Sequence, residues 1–297
     1  MAIRIPEFAL SESVLFNMAS GQRQVATLST QVASGKRVQS PADDAVAFAK
    51  AKNLRGVLAA TNQYQENIGH VEDRLGVAET SLGGMQDILT RAKELGLAMA
   101  NATVSESQRT LMATEAQHLI DELVNLGNTQ LNGRYIFSGA RSGTPAFGAT
   151  GSYRGDASVQ RVEVGEGILV DANVTGDQVL AGAGGGVDAF ALLTQLRDGL
   201  GANDQAAIAA TLDPLDSAYD QVTRARMTAG LQLSKLDMRR ANLEEVAFQT
   251  ERLLSGQEDV DMASAVSQLV TQQNNLEVSR SVLGRLLAEP TLFSYLR

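Results

Sequence analysis

The chain has no cysteine and no tryptophan, only two histidines and five prolines, and an aromatic content of 4%. Without cysteine, disulfides and thiolate metal sites are excluded, and His70 and His118 are the only nitrogen ligands a metal could use. Neither a metal nor a cofactor is expected. With so few rings the interior must be filled by Ala, Leu, Val and Met, which suit helices packed along seams better than deep ligand pockets. The prolines, Pro6, Pro41, Pro145, Pro214 and Pro290, leave stretches free to be long helices. No apolar run approaches the roughly 20 residues that a membrane-spanning helix needs. The net charge of −9 repels phosphate backbones and anionic lipid surfaces, so neither nucleic acid nor membrane is an expected partner. Pro6 and Glu7 fall where a signal peptide needs an unbroken apolar stretch. A soluble chain is expected, one that leaves the cell, if it does so, uncleaved and by another route.

What the chain does have is periodicity. Val14, Met18, Gly21, Val25, Leu28 and Val32 alternate by four and three, the spacing of one apolar seam on a supercoiling helix. At the other end Met262, Leu269, Leu276 and Leu283 recur every seven residues, with Val266, Leu286 and Leu287 beside them. Gln272, Gln273, Ser279 and Arg280 dilute that second seam, so the last helix is expected to associate weakly by itself and to order with partners. Between the ends, Leu54, Val57, Thr61, Tyr64, Ile68, Val71, Leu75, Ala78, Leu82, Met85, Leu89 and Ala92 hold the same alternation for over five heptads. Gly69, Gly76, Gly83 and Gly84 interrupt it, marking places for a bend or a close neighbour.

Local signals divide the rest. Ser105 and Gln108 read as a capping box that opens a helix ending near Gly127 to Gly133. Leu215, Tyr219, Val222, Ala229, Leu233, Leu236 and Leu243 sketch another helix, running to about Leu254 and stopped by Gly256. Of the 27 glycines, 13 fall between Gly133 and Gly186, which marks a different kind of segment. There, residues 159–164 and 168–174 read as two short strands turned by Gly165-Glu166-Gly167. Gly182 to Gly186 reads as a flexible return linker, and Asp188 as an N-cap. The expected fold is mainly α. A long antiparallel helical bundle or coiled coil is formed by the N- and C-terminal segments, with a small inserted β-rich domain. Residues 1–45 and 256–297 are the terminal coiled-coil assembly helices, 46–136 and 187–255 the bundle core, and 137–186 the β-rich outer domain.

Chemistry-bearing motifs are scarce. Asp43-Asp44 is the nearest approach to a paired-carboxylate site, but Ser40-Pro41-Ala42-Asp43 also reads as an N-cap, a proline at the first helical position and an acid at the third. Gly182 to Gly186 fails the dinucleotide pattern because Val187 stands at the required last glycine. The tripeptides Asn101-Ala-Thr103 and Asn173-Val-Thr175 match a glycosylation sequon only formally. No catalytic, cofactor-binding or metal-binding residues are expected, and His70 and His118 read as rim residues of helices.

Residues 31–50, QVASGKRVQSPADDAVAFAK, resemble the signature of the flagellin superfamily, carried by Ser34, Gly35, Lys36 and Arg37, a spacer, and then Asp43 and Asp44. A second block, Leu131-Asn-Gly133-Arg-Tyr135-Ile-Phe137-Ser-Gly139 with Thr144-Pro-Ala-Phe147, is similar to the hook-filament junction members of that superfamily. Tyr153 to Asp156, Val162 to Gly165, Asp259 to Ala263 and Leu292 to Arg297 resemble the same group. The resemblance implies an extracellular structural subunit of the bacterial flagellum, exported through the type III apparatus and placed as an adaptor at the hook-filament junction. It implies as partners other copies of the chain, the preceding hook-associated junction protein, flagellin and an export chaperone. On this reading Val14, Met18, Val25, Leu28, Val32, Met262, Leu269, Leu276 and Leu283 are the assembly interface. Two alternatives stay open: a filament-forming flagellin, and a type III secreted adhesin or effector whose β segment binds a ligand.

Overall fold

A computed structural model describes the backbone of residues 4–288 and the side chains of residues 12–285. The side chains of Leu286 and Leu287, and the whole Leu292 to Arg297 segment, lie outside these. In chain order the elements are α1 (Arg4–Ser34), α2 (Ala45–Met99), α3 (Glu106–Gly127), β1 (Gln130–Leu131), β2 (Arg134–Tyr135), β3 (Arg161–Gly165) and β4 (Ile168–Asp171). They are followed by α4 (Gly176–Val179), α5 (Ala189–Gly201), α6 (Gln205–Ala210), α7 (Leu212–Glu258) and α8 (Met262–Ala288). The architecture is mainly α, and among the described residues the sheets are two antiparallel hairpins, β1–β2 and β3–β4. The chain forms two compact units, residues 1–59 with 247–297, and residues 60–246.

In the larger unit α2 and α7 run antiparallel. Lys93 pairs with Asp216, Arg226 with Glu79 at 2.6 Å, and Arg240 with Glu72, so later residues of one helix meet earlier residues of the other. The long alternation on α2 is its buried stripe, from Ile68 through Leu75, Leu82, Met85 and Leu89 to Ala92. Its Leu82 to Ala92 part shares a core with Leu119 and Leu123 of α3, Phe190, Leu193 and Leu196 of α5, and Leu215 and Val222 of α7, while its Ile68 to Leu75 part packs in a second cluster with Leu236 and Leu243 of α7. The α2 glycines are used unequally. A Cβ at Gly84 would come within 2.9 Å of Leu126, so this glycine lets α3 approach α2, while Gly76 has nothing within 4 Å.

The segment 137–186 joins this core rather than forming one of its own: Phe137, Ala146, Phe147, Val179 and Leu180 pack among the same helices. Phe147 stacks at tilted angles on Tyr153 and Phe190, with ring centroids 5.3 and 5.0 Å apart. Hairpin β3–β4 pairs Arg161 with Asp171 and Glu163 with Leu169, turns at Gly167 with φ +68°, and covers Ile68, Val71 and Leu75 through Val164 and Ala172.

Local capping differs from expectation in three places. The Ser105–Gln108 box is present, and Asp188 accepts from the amide of Ala191 at 2.9 Å. Ser40 does not cap α2, however. The Asp44 side chain does, accepting from Val46 and Ala47 at 3.1 and 2.9 Å, because the Ser40 to Asp43 box closes a separate turn just before the helix. Gly256 does not stop α7, which continues to Glu258. Nor is Gly182 to Gly186 a loose linker. Gly182, Gly184 and Gly185 take positive φ in a turn tied by Ala183 N–H to Asp177 O at 3.0 Å and by an Ala181–Asp188 bridge. Gln221 holds its far side, accepting from Val187 N–H at 2.9 Å and donating to Val179 O at 2.8 Å.

Candidate assembly site

In the smaller unit α1 and α8 pack antiparallel along their length, the end of α1 lying beside the start of α8 through a Lys36–Asp259 bridge. Val14, Met18, Gly21, Val25, Leu28 and Val32, with Gln31 beside the last, are the less exposed of the described positions along α1. On α8 the corresponding positions are Ala265, Leu269, Gln272, Leu276, Ser279 and Leu283, again spaced four and three. Leu269, Leu276 and Leu283 are thus on the seam, but Met262 is 44% exposed and Ala265 takes the inner place. The polar Gln272 and Ser279 sit in the seam itself, and a Cβ at Gly21 would come within 3.4 Å of Leu276. The two seams therefore face each other within one chain. Outside them Leu15, Phe16, Val266, Val270, Val278 and Val282 remain exposed.

The Ser34 to Asp44 motif forms the turn that closes this pair. Ser34 ends α1, its hydroxyl donating to Thr30 O at 2.8 Å, and Gly35 supplies φ +72°, which an L side chain rarely adopts. That conformation turns residues 35–38 alongside the α7–α8 connection. Val260 N–H donates to Gly35 O at 3.0 Å, and the amides of Arg37 and Val38 donate to Glu258 O at 2.6 and 3.3 Å. The Arg37 guanidinium donates to Gln257 O at 3.0 Å and lies 3.5 Å from Asp44.

At the centre Glu258 is buried, with Lys36 Nζ at 2.7 Å from one carboxylate oxygen and Arg55 on the other. A buried carboxylate stripped of such partners is costly, so the three charges hold the turn as a group.

Asp43 and Asp44 are both engaged by backbone amides. Asp43 accepts from the amides of Gln39 and Ser40 at 3.0 and 2.8 Å, bonds that hold its carboxyl below the usual range. Asp44 is lowered chiefly by the Ala47 amide, with Arg37 adding to the effect.

The second block organises a junction in the larger unit. Asn132 and Gly133, at φ +52° and +74°, make the two-residue turn of β1–β2, whose strand twist demands positive φ at both positions. Tyr135 is half-buried, and Phe137 is buried with its carbonyl accepting from Gly176 N–H at 2.9 Å. Gly139, at φ +66°, faces Asp156, whose Oδ1 accepts from Ala140 and Ser158 amides at 2.9 Å each. Tyr153 shares its hydroxyl proton between Phe137 O and Asp156 O, at 3.1 and 2.8 Å. Burial first, then the charges of Asp177 and Asp156, push that phenol far above its ordinary range.

Several positions that organise these sites carry no motif. Glu258 and Arg55 are separated by 203 residues, and only the fold brings them together. Asn128 pins Phe147 by two bonds of 2.9 Å. Arg109 is buried and donates to Met99 O at 2.9 Å and Asn101 O at 2.7 Å, tying down the end of α2. Among the described residues no group of three His, Asp or Glu side chains could hold a metal, and no helix is long and apolar enough to cross a membrane. His70 and His118 are exposed. Asn173, of the second formal sequon, is buried and bonded to Gln160 N–H at 2.7 Å.

Residues 6–142 match the family model of the bacterial flagellin N-terminal helical region. Flagellar hook-associated protein 3 of Salmonella typhimurium is 27% identical over 300 residues, covering 93% of this chain and 95% of that protein. The Escherichia coli protein of the same name is 28% identical over 272 residues, covering 84% and 86%. Among solved structures, a flagellar hook-associated protein from Vibrio parahaemolyticus superposes with a TM-score of 0.67 at 27% identity, covering 73% of this chain and 100% of that one. Over residues 6–142 the chain is thus similar to the flagellin N-terminal helical region, and over most of its length to flagellar hook-associated protein 3.

Proposed function

We propose that this chain is a non-enzymatic structural subunit of the bacterial flagellum, acting as the adaptor between hook and filament. The observation that carries this reading is the similarity to hook-associated protein 3 along 93% of the chain and 95% of the relative. Its work is mechanical. The α1–α8 pair supplies a narrow apolar rod whose remaining exposed side chains, Phe16, Val266, Val270 and Val278 among them, are available to neighbouring subunits. The Ser34 to Asp44 turn and Glu258 hold that rod together. The chain is exported by the flagellar type III apparatus with the help of a chaperone, and it contacts other copies, the preceding hook-associated junction protein and flagellin. Val14, Met18, Val25, Leu28, Val32, Leu269, Leu276 and Leu283 then support assembly through the intrachain seam, and exposed Met262 contributes outside it.

Labelling the protein in detached flagella tests the proposal. A single band at the hook end is expected, and decoration along the filament overturns it. The filament-flagellin reading shares the flagellin N-terminal match, and seeded growth separates the two. Long filaments from purified protein alone would favour flagellin; a terminal layer added only to hooks already carrying the preceding junction protein favours the adaptor. For the adhesin reading, deleting 142–186 is a poor test because it removes core residues such as Phe147 and Leu180. Changing the exposed Ile168 and Leu169 of the hairpin to Ser is cleaner. Motility is expected to persist, and loss of a surface-binding activity with motility intact would support the adhesin.

A further inference from the structure

The seam between α1 and α8 is poorly able to choose its own register. Leu269, Leu276 and Leu283 recur every seven residues, so sliding α8 by one heptad puts another leucine against Gly21 in place of Leu276. Such a slip moves one helix by about 10 Å along the other and keeps apolar residues on both sides of the seam. The polar positions do not forbid it, because Gln272 and Ser279 are themselves seven apart. A repeat with so little individuality specifies that two helices pair, and not where.

The turn is where the repeat ends. The bonds from Val260 to Gly35 and from Arg37 and Val38 to Glu258, at 3.0, 2.6 and 3.3 Å, have no counterpart one heptad away. Glu258 adds a penalty. Its buried carboxylate is matched by Lys36 and Arg55, and a displacement of α1 by about 10 Å carries Lys36 out of reach and leaves the carboxylate with Arg55 alone. We propose that Glu258, clasped by Lys36 and Arg55 in the Ser34 to Val38 turn, sets the register of α1 against α8 as a positioning residue. The flagellin-type motif is then a register stop rather than a contact surface for a neighbour. This inference rests on the intrachain pairing and stands whether the subunit is an adaptor or a flagellin.

The absence of native cysteine makes disulfide trapping a clean test on the purified full chain. With Gly21 opposite Leu276, the antiparallel register sets Val25 opposite Gln272, and a one-heptad slip sets Val25 opposite Ser279. V25C with Q272C therefore reports the native register, and V25C with S279C the slipped one. On the parent background the native pair is expected to cross-link and the slipped pair to stay largely reduced. Glu258→Gln should raise the slipped cross-link at least about fivefold at the expense of the native one. Lys36→Arg, which keeps the charge, should leave the pattern unchanged. An unchanged pattern with Glu258→Gln overturns the proposal. So does loss of both cross-links in that variant, which would mean that Glu258 sustains pairing itself and not its register. Absence of the native cross-link in the parent overturns the intrachain pairing and the inference with it.

Discussion

Single residues act here mainly by satisfying backbone groups. Asp156 shows this, with its carboxylate fixed by the Ala140 and Ser158 amides, which depress its pKa more than partial burial raises it. A depressed carboxylate contributes stability that is present above its unfolded value of about 3.9 and is lost as pH falls through the lower folded value. Asp156→Asn is therefore expected to lower the thermal midpoint at neutral pH, and its difference from the parent should shrink as pH falls below about 4. Melting both proteins across a pH series checks this, and a pH-independent difference would contradict it. Gly139 needs its freedom twice over, for a φ of +66° and for the close approach of Asp156. Gly139→Ala should destabilise by roughly 1–3 kcal/mol, read by urea unfolding at pH 7. Glu258 belongs to the same scale, but no local pattern announces it. An isolated glutamate near a helix end looks like any solvated acid, and its burial depends on Lys36 and Arg55 arriving from far away in the chain.

Among the elements, propensity and periodicity were largely sufficient. The three-four alternations on α1 and α2, the Ser105 box and the Asp188 cap were all readable, because each depends on residues within one or two turns. Ser105→Ala should cost about 0.5–2 kcal/mol in the larger unit, measurable by thermal unfolding. The exceptions have local causes that sequence spacing does not reveal. Gly256 sits within α7 with no neighbour that a Cβ would strike, and one glycine costs a helix only about 1 kcal/mol. Asp44 outcompetes Ser40 as the cap because Asp43 turns back onto the Gln39 and Ser40 amides, occupying the preceding turn. For the terminal pair, Leu276→Asp with Leu283→Asp puts two charges on the seam. The expected result is protease-sensitive α1 and α8 segments, an intact larger unit and loss of motility; unimpaired motility would refute the seam's role in assembly.

For the whole molecule, the division into two units carries its own expectation. The larger unit, residues 60–246, has its own buried core among the described residues, with Phe137, Phe147 and Phe190 as its buried aromatics. A fragment lacking residues 1–44 and 259–297 should therefore stay helical and unfold cooperatively, yet fail to enter flagella. Circular dichroism and incorporation assays read the two outcomes separately. Non-cooperative melting of the fragment would show that the terminal pair is part of one folding unit.

The sequence by itself determined the class of molecule. A chain without cysteine or tryptophan, with long heptad alternations and a net charge of −9, can build helical seams and little else, and its Ser34 to Asp44 and Gly133 to Gly139 blocks resemble one superfamily. Tertiary structure alone decided which partner each seam meets, that residues 137–186 complete the helical core, and that the Lys36 turn closes on Glu258. The physical reason is range. Periodicity, caps and turn glycines are written within a few residues, whereas a buried ion cluster and a shared core depend on segments separated by up to 222 positions, whose approach no spacing rule encodes.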